Sequence, residues 1–232
     1  MWPFTSKLKK ANILSHFIDF HCHLLPGVDD GIRRTADTLL VLHHYEEMGI
    51  KEVWFTPHIM EDVPNTTNHL RNRFEELKEK YQGSITLHLA AEYMLDNLFN
   101  ERFNNDDLLL HGDAQDAVLV ETSYVNGPLD LHDTLQKILS KGYFPLLAHP
   151  ERYMYMDHDE YEELKDMGVR FQLNLPSLCG HYGEVVKNEA QWLLENEYYD
   201  LMGTDTHRAS KLIGDFVIDR KNIKNIKQLL NI

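Results

Sequence analysis

The stretch Phe17-Ile18-Asp19-Phe20-His21-Cys22-His23 runs through two leucines into Pro26-Gly27-Val28-Asp29-Asp30-Gly31. Ile18 and Phe20 read as one buried face of a short strand. His21 and His23 lie two apart, and side chains in a strand repeat with period two, so both imidazoles project to the same side where the chain turns. Asp19 shares that side and is placed to orient a ligand from behind. Two imidazoles aimed at one point suit a divalent metal. Two satisfied histidines in an ordinary strand would look the same, so the rest of the chain has to decide.

Working outward, further apolar strands are expected over 52–58, 85–92, 117–121, 143–152, 169–175 and 200–207. Helices are expected over 35–49, 65–83, 129–142, 159–168, 182–197 and 221–230. Thr35 is a candidate cap for the first helix, with Leu39, Leu42 and Met48 as its stripe. Val185, Ala190, Leu193 and Leu194 mark the buried side of the helix over 182–197, and Trp54 and Phe144 read as core. Strands that are apolar throughout, alternating with helices, mean a parallel sheet covered by helices. Residues 1–15 show no clear period and read as a surface arm or short helix. Residues 16–232 read as a single domain, because no low-complexity linker divides them.

The polar residues are not scattered. His21, His23, His58, Glu92, Glu121, His149, Asp205 and His207 all fall at the carboxyl ends of successive strands. In a parallel barrel those ends meet at one face, whereas an open sheet would spread them along a line. Convergence therefore favours a closed or nearly closed α/β barrel, short of the usual eight strands. Several carboxylates buried together need cations to neutralise them. With Asp30 the candidate ligands number nine, too many for one ion and enough for two or three.

Composition narrows the classes. The net charge of −14 lacks any basic stripe to offset it, which argues against nucleic acid as a partner. No apolar run reaches the ~18 residues of a membrane span. Residues 1–10 place their bulky side chains before their lysines and show no cleavage site, the wrong order for a secretory signal, so a cytoplasmic protein is expected. Cys22 and Cys179 form neither a disulfide framework nor a zinc ribbon and read as small buried thiols.

Taken in order, Asp19-x-His21-x-His23, Asp29-Asp30-Gly31, Thr56-Pro57-His58, Ala91-Glu92, Val120-Glu121, His149-Pro150-Glu151-Arg152 and Gly203-Thr204-Asp205-x-His207 resemble the PHP (polymerase and histidinol phosphatase) metallohydrolases. Within that family the chain is most similar to the capsule and exopolysaccharide tyrosine phosphatases of Gram-positive bacteria. The resemblance implies a distorted (β/α)7 TIM-like barrel of the PHP type. It implies a first ion on His21, His23, Glu92 and Asp205, with Glu92 bridging. Glu121 and His149 would complete a second, and Asp30, His58 and His207 would hold a third. The ions implied are divalent, manganese first, with iron or zinc accepting the same donors. The implied reaction is hydrolysis of phosphotyrosine by a metal-bridging hydroxide, with the tyrosine kinase of polysaccharide assembly as the expected phosphoprotein partner.

Arg152 is the candidate phosphate contact, because its fork matches two phosphoryl oxygens. Asp205 and His207 are candidates to assist the leaving oxygen through water. The family pattern continues with asparagine and then arginine; here Arg208 and Lys211 occupy that region, and Arg208 is the candidate second cation. Tyr124, Tyr153 and Tyr155 stand near the expected mouth, either to flank a substrate ring or to pack loops. Alternatives are a small-molecule phosphatase of the histidinol-phosphate type, an amidohydrolase, and a binding module that keeps its ligands for stability. Amidohydrolases usually add a carboxylated lysine, and no strand here ends in lysine.

Overall fold

The computed structural model describes residues 5–11, 13–210 and 213–231. Ten of its elements alternate along the chain from β2 (Asp19–Cys22) and α1 (Thr35–Glu47) through β3 (Glu52–Phe55), β4 (His58–Ile59), α2 (Thr67–Lys80), β5 (Thr86–Leu89), β6 (Glu92–Met94), α3 (Asn97–Asn104), β7 (Ala117–Glu121) and α4 (Leu131–Ser140). Then come β8 (Phe144–Ala148), α5 (His158–Asp166), β9 (Arg170–Asn174), the short α6 (Leu175–Leu178), α7 (Glu184–Glu195) and β10 (Leu201–Gly203). A small pair, β1 (Thr5–Lys7) and β11 (Val217–Asp219), and a terminal helix, α8 (Arg220–Leu229), complete the described chain.

Two parallel sheets form the centre, one in the order β10-β9-β8-β7-β6-β4 and the other β2-β3-β5. They curl toward each other: His21 O accepts from the backbone N–H groups of Thr204 and Asp205, and His23 N–H donates to Thr206 O. The result is an α/β fold with a curled parallel sheet. The helices cover its outside, with Leu70, Phe74 and Leu77 of α2 and Leu135 and Ile138 of α4 buried as the helical period demands. Several helix starts are capped by side chains: Thr66 accepts from His69 N–H, Asp96 from Phe99 N–H and Asp157 from Glu160 N–H.

The structure departs from the sequence reading in ways with physical causes. The expected strand over 52–58 breaks at Thr56-Pro57, where proline supplies no ladder donor, and its end joins the larger sheet as β4. The strand over 85–92 breaks likewise at Ala90-Ala91, so Glu92 begins β6 rather than ending β5. The register of β2 slips between Asp19 and Cys22, so strict alternation fails there, and Ile18 and Phe20 are only half-buried. Thr35 is the first helical residue of α1, and its side chain makes no cap; Arg34 holds the cap position. Phe144 at the start of β8 and Val185 on α7 are exposed. Cys22 is buried and Cys179 half-buried. Part of the expected arm is held to the body: β1 pairs antiparallel with β11, and Leu8, Ile13 and Leu14 are buried in the core.

Candidate metal centre

Parallel order carries the carboxyl ends of the central strands to the same side, and the candidate ligands meet there, His58 and Glu92 reaching it from the breaks after β3 and β5. Glycines allow the closest approaches. A Cβ on Gly203 would collide with the His21 side chain, and one on Gly31 with His23. His149 and Asp205 adopt left-handed backbone angles, φ 36° and 50°. Such conformations cost a non-glycine residue about 1–3 kcal/mol and persist where surrounding structure enforces them, typically at functional sites.

Glu92 is the hub. Its Oε2 lies 3.2 Å from His21 Nε2, 3.2 Å from His23 Nε2 and 3.1 Å from His58 Nδ1, while its Oε1 lies 3.1 Å from His149 Nε2. Asp205 Oδ1 stands 3.7 Å from His21 Nε2, 3.4 Å from His23 Nε2 and 3.3 Å from His207 Nδ1. Glu121 reaches His58 Nδ1 at 3.1 Å and His149 Nε2 at 3.9 Å. On the outer side, Asp30 Oδ1 is 3.4 Å from His207 Nε2 and 3.6 Å from His58 Nε2. All nine expected ligand side chains therefore come together. One detail differs from the expected grouping: His58 turns Nδ1 toward Glu92 and Glu121 and only Nε2 toward Asp30.

Hydrogen bonds behind the rings set which nitrogen faces the cluster. His21 Nδ1–H donates to Gln172 Oε1 at 2.8 Å, His23 Nδ1–H to Asp29 Oδ2 at 2.8 Å, and His207 Nδ1–H to Asp205 O at 2.9 Å. Each leaves the Nε2 lone pair pointing inward, as a metal ligand requires. Asp29 is itself fixed by the backbone N–H groups of Gly31 and His58. Sequence reasoning missed Asp29 and Gln172; Asp29 stood in plain view beside Asp30, while Gln172 carries no local signal. Asp19, expected behind the imidazoles, instead accepts from Thr204 N–H, the Thr204 hydroxyl and Tyr45 OH, because the slip in β2 turns it toward α1. Burial pushes the Asp19 carboxyl up to about 6 against those hydrogen bonds.

The electrostatics call for cations. Burial opposes charging His58, yet Glu92 and Glu121 outweigh it and push its pKa up to about 12. Burial and His58 oppose charging His23, and Asp29 and Glu92 push it up to about 10. Burial would raise Asp205, but the surrounding histidines hold it down at about 2. Glu92 Oε2, Glu121 Oε1 and His58 Nδ1 are buried without a hydrogen-bond partner, despite lying within reach of one another. Buried polar atoms are almost always paired, and divalent ions would satisfy all three. Oxygen and imidazole donors with no thiolate suit manganese, iron or zinc. The residues present fit such ions.

Above the cluster opens a cleft of about 380 Å³, lined in part by His58, Glu92, His149, Asp205 and His207. Arg152 stands in its wall, its Nη1 donating to Asp205 Oδ2 at 2.9 Å. Arg208 also lines the cleft, exposed at the rim, and Lys211 lies outside the described residues. Tyr124 lines the cleft; Tyr153 is buried with its OH donating to Ala148 O, and Tyr155 faces a separate depression. Tyr182, which sequence reasoning passed over, also lines the cleft.

Comparison with known proteins agrees with this picture. The model of the family described as "Capsular polysaccharide synthesis, CpsB/CapC" matches residues 17–215. Tyrosine-protein phosphatase YwqE of Bacillus subtilis is 26% identical over 198 residues, covering 83% of this chain and 78% of that one. Tyrosine-protein phosphatase CpsB of Streptococcus pneumoniae is 27% identical over 205 residues, covering 82% of each. Among solved structures, one from a study of YwqE and CpsB as metal-dependent tyrosine phosphatases superposes with a TM-score of 0.78 at 23% identity. That match covers 93% of this chain and 86% of the other, and it shows a shared fold.

Proposed function

The chain belongs to the CpsB/CapC capsular polysaccharide synthesis family, and from that premise we propose that it is a metal-dependent protein-tyrosine phosphatase. The observation that carries this reading is a cleft with a cation-demanding carboxylate–imidazole cluster on its floor and the Arg152 guanidinium in its wall. The two sheets are read as one distorted (β/α)7 barrel of the PHP type within residues 16–232, β3 running on into β4 and β5 into β6 across their interruptions.

His21, His23, Glu92 and Asp205 would hold one ion, Glu92, Glu121 and His149 a second, and Asp30 and His207 a third. His58 serves the second or the third, according to which ring nitrogen is engaged. Divalent ions there, manganese foremost, would supply charge for the phosphoryl oxygens and a water acid enough to attack near neutral pH. The chain's own residues do the rest. Asp29, Gln172 and the Asp205 carbonyl hold three imidazoles in the ligating tautomer. Arg152 offers planar N–H donors to a phosphoryl group, and Asp205, shared between Arg152 and the histidines, fixes its distance from the cluster. Arg208 adds a weaker positive charge at the rim.

A tyrosyl leaving oxygen has a pKa of about 10, so it departs with little proton donation, and Asp205 or His207 can relay a proton through water. The substrate is a phosphotyrosine protein, the kinase of polysaccharide assembly, met in the cytoplasm. Among the described residues no helix is long and apolar enough to cross a membrane. The test couples elemental analysis of the purified protein to turnover of a phosphotyrosine peptide with manganese added or withheld. Bound divalent metal and manganese-dependent release of phosphate are expected. A metal-free protein, or one that prefers histidinol phosphate to aryl phosphates, overturns the reading.

A further inference from the structure

Arg152 is held on more than its hydrogen-bonded edge. The strand order sets β8 between β7 and β9, so the segment after β8 that bears Arg152 is flanked by the segments that follow each neighbour. Tyr124 comes from the loop after β7, and Tyr182 from the turn after α6, which continues β9. The guanidinium carbon lies over the Tyr124 ring at 4.2 Å and over the Tyr182 ring at 4.4 Å. Asn174 ties this wall together: its Nδ2 donates to Asp205 Oδ2 at 2.9 Å and to Tyr182 OH at 3.3 Å. The Tyr124 ring also packs near His149 and Tyr153, with centroids 5.8 and 6.1 Å away.

We propose that Tyr124 and Tyr182 are positioning residues that clamp Arg152 between their rings, presetting its free N–H donors for a phosphoryl group. The proposal rests on the phosphatase reading and deepens it. A free arginine side chain samples many rotamers and must be ordered when an anion binds. Two ring faces and one carboxylate oxygen remove that cost beforehand. The arrangement has a corollary for specificity. Ring faces occupied by a guanidinium are not available to stack on the substrate's ring, so these tyrosines govern phosphate recognition rather than selection of an aromatic ester.

Inorganic phosphate, which has no ring, separates the two roles. It is titrated by calorimetry into the manganese-loaded protein and also used as a competitive inhibitor of p-nitrophenyl phosphate hydrolysis. Tyr182→Leu and Tyr124→Leu are expected to weaken phosphate binding about tenfold, the scale of a desolvated cation–π contact. Tyr182→Phe keeps the ring and should return the affinity to within about twofold of wild type. Arg152→Ala/Tyr182→Leu should bind phosphate no more weakly than Arg152→Ala alone, since residues acting through one another are not additive. Unchanged phosphate affinity alongside a raised KM for the aryl substrate would overturn the clamp, as would full additivity on the Arg152→Ala background. Should Tyr182→Leu fail to fold, Tyr124→Leu decides the matter, since that residue is 38% exposed. A wild-type protein that binds phosphate but turns over no aryl phosphate would instead sink the phosphatase reading and leave the clamp standing.

Discussion

Burial has opposite consequences for the histidines of the metal centre and for His111, which lies outside it. In the metal centre, His21, His23 and His58 face Glu92, Glu121 and Asp205, and the carboxylates overcome burial to favour the charged rings. Elsewhere His111, just before β7, stacks on the Trp54 ring of β3 with centroids 4.2 Å apart. There His111 Nε2–H donates to Phe20 O, and burial, only partly offset by that carbonyl, drives the pKa down to about 4. Burial alone makes a neutral structural histidine. Burial among carboxylates makes a place for cations. The counting of histidines in a sequence does not distinguish the two; their partners do.

The comparison breaks most severely at Glu92, the carboxylate within 3.2 Å of His21, His23, His58 and His149. Glu92→Gln should lower the metal content per chain and cut kcat by about a thousandfold or more, since it removes a ligand rather than an outer support. Retained metal with kcat near wild type would refute the role of Glu92 as hub. Asp29→Asn tests the support behind His23. Metal affinity is expected to fall about ten- to a hundredfold, with the fold intact by circular dichroism; an unchanged Kd from metal titration would make Asp29 merely structural.

The smallest effect belongs to His111 and has the opposite sign in pH. A histidine with a raised folded pKa, such as His58 in the metal-free protein, stabilises fully below about 6.5 and loses that contribution as pH rises through about 12. His111, whose folded pKa is lowered to about 4, contributes above about 6.5 and loses it as pH falls toward 4. Between pH 7 and pH 5 this group should cost the wild type about 2 kcal/mol. His111→Gln keeps a donor for Phe20 O but does not titrate, so its urea-denaturation stability should fall correspondingly less over that interval. Equal losses in the two proteins would place the neutral-histidine account in error.

Much of this was legible because strand-end chemistry is local. Ala117–Glu121 reads as an apolar strand closing on an acid and is one, since no residue within it interrupts the ladder. His21 and His23 aim at one place even though β2 slips beside them, because Thr204 and Asp205 hold the His21 carbonyl from across the sheet. Other features escaped because their causes lie far away in the chain. Asp19 turns to Tyr45 and Thr204, and Gln172 reaches back to His21 over a separation of 151 residues. Tyr182 becomes meaningful only once β9 lies beside β8.

Sequence by itself determined the alternation of strands and helices, the polar character of the strand ends and the family, since period, composition and motif order are written along the chain. Tertiary structure alone decided which nitrogen of each histidine faces inward, which acid stands behind it and what holds Arg152 in place. Those are matters of distance and desolvation between residues remote in sequence, and they come into being only when the sheet curls.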